Sequence, residues 1–408
     1  MDTVSVGHGR ECITPPLGIR MVGYASRTEG AADVHDDLFV NAVVIEHGDE
    51  RVALLTYDVC LMSIGQADEF KAAIRKATGL EPDRVLLNTT HTHAGPALGD
   101  REKNEMQEQY RGEVIRQSLR ALRVALADAS PAEFSVGNAP LDIGVNRREL
   151  RADGQIILGE NPDGPTLHEV DVWRFAREHK PDVVLFSVPL HGTTLGEWNL
   201  SITGEWMGRA IQRLECRAPG ERFVFLQGCG ANQNPYSTLR EKVRGTFGEM
   251  EEHAQAAAVS VGKALSHMQE LSPLPIGVVT RTAELPPKEK GEEAKQLRVQ
   301  GIRLGDAMLV ALSAEVFVEY AMFGREVSPA KATLVLGYSN GNIGYLPTAI
   351  VYPEGGYEIR TTRVGPKAER ITQKAMRAVF SDLARLSRGT RAARINTETR
   401  RARRRKQK

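Results

Sequence analysis

Two histidines one residue apart, His91-Thr92-His93, follow the apolar run Arg84–Asn88 and lead into Ala94-Gly95-Pro96. Imidazole is the commonest protein ligand for zinc, so such a pair at a strand end reads as candidate metal ligands. In an extended chain residues i and i+2 point to the same side, and a Gly-Pro then turns the backbone away. A third histidine repeats the setting: Val183–Leu190 is apolar and ends in His191-Gly192-Thr193-Thr194. Hydrogen-bonded loop histidines give the same pattern, and spacing alone leaves both readings open. Glu315 closes the apolar run Leu309–Ser313. A carboxylate there completes a metal site, or simply complements the start of a helix. Downstream, four of the nine tyrosines (Tyr338, Tyr345, Tyr352, Tyr357) lie among glycines, as in a backbone that wraps closely around a site or in a surface loop.

Two other metal folds that open on H-x-H fit poorly. A metallo-β-lactamase needs H-x-H-x-D-H, and Ala94-Gly95-Pro96 stands here instead. An amidohydrolase barrel carries the pair near its first strand, whereas several paired strands precede His91.

The elements that must position these residues follow from periodicity and punctuation. Phe39–His47 and Arg51–Tyr57 flank Gly48-Asp49-Glu50, a hairpin pattern. Ser63–Thr78 and Glu105–Ala127 have helical spacing. Glu133–Asn138, Gln155–Leu158, Val170–Ala176, Val183–Pro189 and Phe223–Gln227 read as strands, and Ile202–Cys216 and Glu249–Met268 as helices. Ile276–Glu284, Val299–Arg303, Met308–Ser313 and Ala332–Gly337 read as strands, Glu315–Phe323 and Lys367–Leu386 as helices. Strands come in adjacent pairs rather than in βαβ alternation. The expected class is therefore mixed α/β, with paired mixed sheets flanked by helices.

The 408 residues, 41% hydrophobic and 26% charged, suffice for a large core and exclude a disordered or collagen-like chain. Residues 388–408 hold ten basic side chains and one acid, a net of +9. The chain totals +1, so residues 1–387 carry −8. An acidic body argues against a general polyanion-binding surface. The tail is expected to be a solvated, disordered extension with at most weak affinity for nucleic acid or anionic lipid. The division is thus 1–387 as a catalytic domain and 388–408 as a basic tail. Four scattered cysteines (Cys12, Cys60, Cys216, Cys229) read as reduced thiols. Neither a signal peptide nor an apolar run of membrane-spanning length is visible, so a cytoplasmic location is expected.

Taken in order, the motifs resemble the catalytic domain of the neutral, non-lysosomal ceramidases and their bacterial relatives, over roughly residues 4–387. Val6-Gly7-His8-Gly9-Arg10, Ile13-Thr14-Pro15-Pro16 and Met21-Val22-Gly23-Tyr24 are similar to that family's opening G-x-G-x-x-x-I-T-x-P…M-x-G-Y. His91–Pro96 resembles H-T-H-S-G-P, Asn146-Arg147 its N-R-S segment, and His191–Thr194 its H-[PG]-T-S. Ala314-Glu315-Val316-Phe317 resembles P-G-E-F, and Asn340 through Tyr357 its N-x₄-Y-x₁₁-Y run. The resemblance implies a zinc site of His91, His191, Glu315 and Tyr345. It implies His93 as a proton-transfer or outer histidine, and Arg147 and Tyr357 as groups facing the carbonyl oxygen or oxyanion. One departure stands out. The family's G-D-V-S-P-N is Gly230-Ala231-Asn232-Gln233-Asn234-Pro235 here, with Asn234 at the serine. No hydroxyl nucleophile is available there, so water on zinc becomes the attacker and Asn234 an oxyanion donor. The family's immunoglobulin-like C-terminal domain has no counterpart here, and ceramide is not the expected substrate.

These readings combine into a zinc-dependent hydrolase of a linear amide (N-acyl) bond in a small molecule. An esterase or lactonase in the same site, and a non-catalytic ceramidase-like binding protein, stay open as alternatives. Oligomeric state is not legible in the sequence.

Overall fold

A computed structural model describes residues 3–98, 104–236 and 245–405, with side chains to Leu386. Seven helices are used below: α1 Ile64–Thr78, α2 Glu105–Asp128, α3 Glu205–Arg217, α4 Phe247–Leu265, α5 Val318–Val327, α6 Tyr357–Thr361 and α7 Ala368–Arg405.

The larger sheet has eight strands in the spatial order Glu221–Gln227, Asp182–Val188, Glu169–Arg177, Ser130–Pro140, Val4–Cys12, Phe39–His47, Glu50–Tyr57, Val85–Thr89, with Gln269–Glu270 pairing beside Ser130–Pro140 as a ninth. A second sheet orders Ile276–Leu285, Lys295–Leu304, Ala307–Leu312 and Ala332–Leu336. Successive side chains of a strand face opposite ways, and here both faces are buried. Val43 and Ile45 face the second sheet, where Leu309, Ala311, Leu334 and Leu336 meet them. Ala42 and Val44 face the other way, toward α1 and α2. Val184, Phe186 and Phe225 pack on α3 and α4. On the outer face of the second sheet, Met308, Val310 and Val335 pack with Tyr320 and Ala321 of α5 and with Met376, Val379 and Phe380 of α7. The result is four layers, helices–sheet–sheet–helices, as expected for paired mixed sheets flanked by helices.

The helices start and stop where local chemistry dictates. Ser63 caps α1 in a reciprocal box with Gln66, and Gly79 ends it in the left-handed region at φ 76°. Thr246 and Glu249 form the same box at α4. Gly7 and Gly9 let α2 lie on the strand Val4–Cys12, because a Cβ at either would run into the carbonyl oxygens of Ala125 or Ala121.

Three parallel strand pairs orient the site. They are Glu50–Tyr57 with Val85–Thr89, Asp182–Val188 with Glu221–Gln227, and Ala307–Leu312 with Ala332–Leu336. The two edge strands of the larger sheet meet through Asn88, whose Oδ1 accepts from Gln227 N at 2.8 Å and whose Nδ2 donates to Gly337 O at 3.0 Å. Asn340, at φ 57°, links the second sheet to the first: its N donates to Leu87 O at 2.7 Å and its Nδ2 to Gln300 Oε1 at 2.7 Å. All three pairs therefore present their C-terminal ends at one seam, where open α/β sheets place ligands.

Among the expected boundaries that shift, two bear on the site. Glu315 does not begin a helix. It lies in the two-residue strand Glu315–Val316, paired with Tyr345–Leu346, and α5 starts only at Val318. The helix expected from Ile202 starts at Glu205, because Ser201–Ile202 pairs with Asp33–Val34. In both cases a tertiary backbone partner overrides local pattern. The expected basic tail falls at the end of α7, where side chains lie outside the described residues. Among the described residues no helix is long and apolar enough to cross a membrane, and the four cysteines are unpaired.

Candidate functional site

The strand Val85–Thr89 ends two residues before His91, which takes a left-handed backbone at φ 61°. The pair His91/His93 is thus not a continued strand, and extended alternation does not aim its rings. Backbone bonds do: His91 N donates to Val59 O at 3.1 Å and His93 N to Gly192 O at 2.9 Å. The second bond sets the His91 loop directly against the His191 loop, where Thr92 and Gly192 form a parallel bridge.

Each ring is then fixed from behind. His91 Nδ1 lies 2.8 Å from Cys60 O, and His191 Nδ1 lies 2.7 Å from Gly230 O and 3.0 Å from Gln233 O. A carbonyl only accepts, so both Nδ1 atoms carry the proton and both Nε2 atoms keep a lone pair, which without a metal accepts from His93 Nε2 and from Arg147 Nη1 respectively. One ligand atom each from His91, His191 and Glu315 lies within 4.8 Å of the others. His91 Nε2 is 3.7 Å from Glu315 Oε2. Burial makes protonation of the rings costly: it holds His91 at about 3 and His191 well below its usual range. Glu315 is buried, and burial pushes its carboxyl up. Its partners are polar rather than cationic: Asn342 Nδ2 at 3.4 Å and the hydroxyl of Tyr345. Two lone pairs and a buried carboxylate lacking a paired cation form a donor set suited to a divalent ion.

The remaining expected residues surround this set. His93 Nε2 is 3.0 Å from His91 Nε2. Since His91 Nε2 is bare, His93 supplies the proton there, leaving its own Nδ1 buried without a partner. Arg147, from the strand Gly144–Leu150, reaches Asn234 Oδ1 through Nη1 at 3.1 Å, Tyr345 Oη through Nη2 at 3.1 Å and His191 Nε2 through Nη1 at 3.3 Å. Accepting through Oδ1 leaves the Asn234 amide N–H₂ group free to donate. The ring of Tyr357 stands edge-on to that of Tyr345, centroids 5.7 Å apart, and is partly exposed, so the site opens on that side. All eight residues singled out from the sequence therefore converge.

Several neighbours have no role assigned from the sequence, although Tyr338 belongs to the tyrosine run noted there. The Tyr338 ring lies 4.1 Å from that of His91, at φ 50°, with a buried hydroxyl that has no partner. Cys60 supplies the carbonyl behind His91. Glu358 accepts from Arg147 Nε at 2.8 Å. For Glu358 a signal existed, an acid directly after Tyr357. For Tyr338 and Cys60 the signal is a backbone conformation that no local pattern encodes.

Known structures share this architecture. A ceramidase complexed with C2 superposes at TM-score 0.80 with 18% identity, over 94% of this chain and 76% of its own. Neutral ceramidase from Pseudomonas aeruginosa gives TM-score 0.78 with 19% identity, over 94% and 74%. The family model described as neutral/alkaline non-lysosomal ceramidase, N-terminal, matches residues 4–224, a span that contains His91, His93, Arg147 and His191. More than half of the chain is covered by that match, and the chain belongs to the neutral/alkaline non-lysosomal ceramidase family.

Proposed function

We propose that this protein is a zinc-dependent hydrolase of linear amide bonds, acting on a small N-acyl substrate other than ceramide. The observation that carries the reading is the convergence of His91 Nε2, His191 Nε2 and Glu315, with both Nδ1 atoms committed to backbone carbonyls. We assign Tyr345 as the fourth ligand, since its hydroxyl lies against Glu315 and within 3.1 Å of Arg147 Nη2. A zinc ion bound there supplies a lowered pKa for water and polarisation of the amide carbonyl.

The chain's own residues supply the rest. His93, whose Nε2 lies 3.0 Å from His91 Nε2, stands beside the centre and is the group to take a proton from the attacking water and return it to the departing amine. Arg147 and the free Asn234 N–H₂ group face the position of the developing oxyanion, with Tyr357 at the open side. At the position of the family's serine stands an amide, so no acyl-enzyme forms there and attack falls to water. Ester or lactone cleavage in the same site uses the same groups.

Metal analysis of the purified protein, followed by a panel of short N-acyl amides, ceramide, esters and lactones, tests the reading. The expected result is about one zinc per chain and turnover of soluble amides without burst kinetics. Turnover of esters alone moves the assignment to an esterase. Zinc binding without any turnover identifies a binding protein, and absence of zinc overturns the ligand set.

A further inference from the structure

Arg147 is a buried cation, 4% exposed, set against His191 and beside the proposed metal site. A guanidinium in that position repels an incoming dication unless its charge is cancelled locally. The cancellation comes from one residue outside the ligand set. Glu358 is 0% exposed and takes Arg147 Nε on Oε1 at 2.8 Å and Arg148 Nη1 on Oε2 at 2.8 Å. Arg148 in turn donates to Glu354 Oε2 at 3.0 Å and Gly355 O at 2.9 Å. Burial alone would raise the Glu358 carboxyl, yet Arg147 and Arg148 hold it below its usual range. With Nε engaged, the two Nη groups of Arg147 are left to reach His191, Asn234 and Tyr345. Glu358 also follows Tyr357 directly in α6, a five-residue helix entered through Gly355 and Gly356 at φ 74° and 91°. The salt bridges held by this carboxylate anchor the same short helix that carries Tyr357.

We propose that Glu358 is a positioning residue of this site: it aims the Arg147 guanidinium, neutralises it beside the metal position, and ties Tyr357 to both. The inference rests on the reading of Arg147 as a group facing the substrate, and its test keeps the two separable.

Glu358→Gln and Glu358→Asp are made in the full chain and checked for folding by thermal melting. Three readouts follow: zinc affinity by chelator competition, kcat and KM on an amide the wild type cleaves, and the Arg147 Nε–H resonance in nitrogen-edited NMR. In Glu358→Gln the slowly exchanging Nε–H signal is expected to disappear. Zinc should bind roughly 10–100-fold more weakly although no ligand has changed. kcat should fall about 10²-fold with a smaller change in KM. Glu358→Asp should restore part of each, since it keeps the charge but falls one methylene short. In an Arg147→Ala background Glu358→Gln should cost less in turnover and zinc affinity than it does in the wild-type background. A folded Glu358→Gln protein with wild-type zinc affinity and an unchanged Arg147 signal overturns the proposal. If Glu358→Gln does not fold, wild-type values for both readouts in Glu358→Asp overturn it instead. If the wild type cleaves no amide, the proposed activity fails, while the zinc and NMR readouts still decide Glu358.

Discussion

At the scale of single residues, the division of labour around the centre is testable by metal content and turnover together. His91→Ala and His191→Ala each remove a lone pair aimed at the same point, and each is expected to abolish zinc retention through dialysis, read by elemental analysis. Tyr345, in the strand Tyr345–Leu346, and Tyr357, at the start of α6, differ in burial and in contact with Glu315. Tyr345→Phe should lower zinc affinity. Tyr357→Phe should leave zinc in place and reduce kcat by about 10²–10³ if it acts as an oxyanion donor. Equal zinc loss in both variants would contradict that assignment. The types of these residues and their order were legible in the chain. Their angles were not, because His91 is aimed by a left-handed backbone and by the carbonyl of Cys60, whose position depends on a different strand.

Among the elements, the strand Val4–Cys12 and helix α2 make the clearest case. The strand's Gly7 and Gly9 open the sequence pattern shared with the family, yet neither touches the site. Their role is contact: the α2 backbone rests where a side chain would stand. Gly9→Ala should destabilise the fold by about 3 kcal/mol, the upper end of overpacking penalties, since helix backbone cannot turn aside as a side chain can. Denaturant midpoints measure this, and a shift of a few tenths of a kcal/mol would show that α2 is free to move away. Helices α1 and α4 were readable from the spacing of Ser63–Thr78 and Glu249–Met268, while the Thr246 cap that starts α4 at Phe247 was not. The strands Gly144–Leu150 and Glu315–Val316 were not readable, since neither has an alternating pattern; the first pairs with its neighbour Ile156–Asn161 and with distant Gln233–Pro235, the second with Tyr345–Leu346.

For the whole molecule, stability is coupled to what binds and to pH. If zinc occupies the site only in the folded state, a free concentration of 100 times Kd adds about 2.7 kcal/mol, and excess chelator should remove that increment in a melting experiment. The pH dependence has an origin remote from the metal. His8 is buried against Asn41, with Arg10, Arg177 and Glu215 nearby, and burial lowers its pKa to about 4. The unfolded chain takes up this proton near pH 6.5, before the folded one does. Its contribution is therefore complete above pH 6.5 and is lost as pH falls toward 4, about 3 kcal/mol in all at 1.36 kcal/mol per pKa unit. Measured against His8→Gln, the wild type should lose that difference across this window, and parallel curves for the two proteins would refute it. By itself the sequence indicated the mixed α/β class and most element positions, through periodicity and residue type, and its resemblance to a known family named the candidate site residues. Only the tertiary structure decided that three parallel strand pairs end at one seam, that Glu315 belongs to a strand paired with Tyr345, and that Glu358 stands behind Arg147. Those facts depend on contacts between segments more than 25 and up to 250 residues apart, and local pattern carries no information about which distant strand will supply the partner.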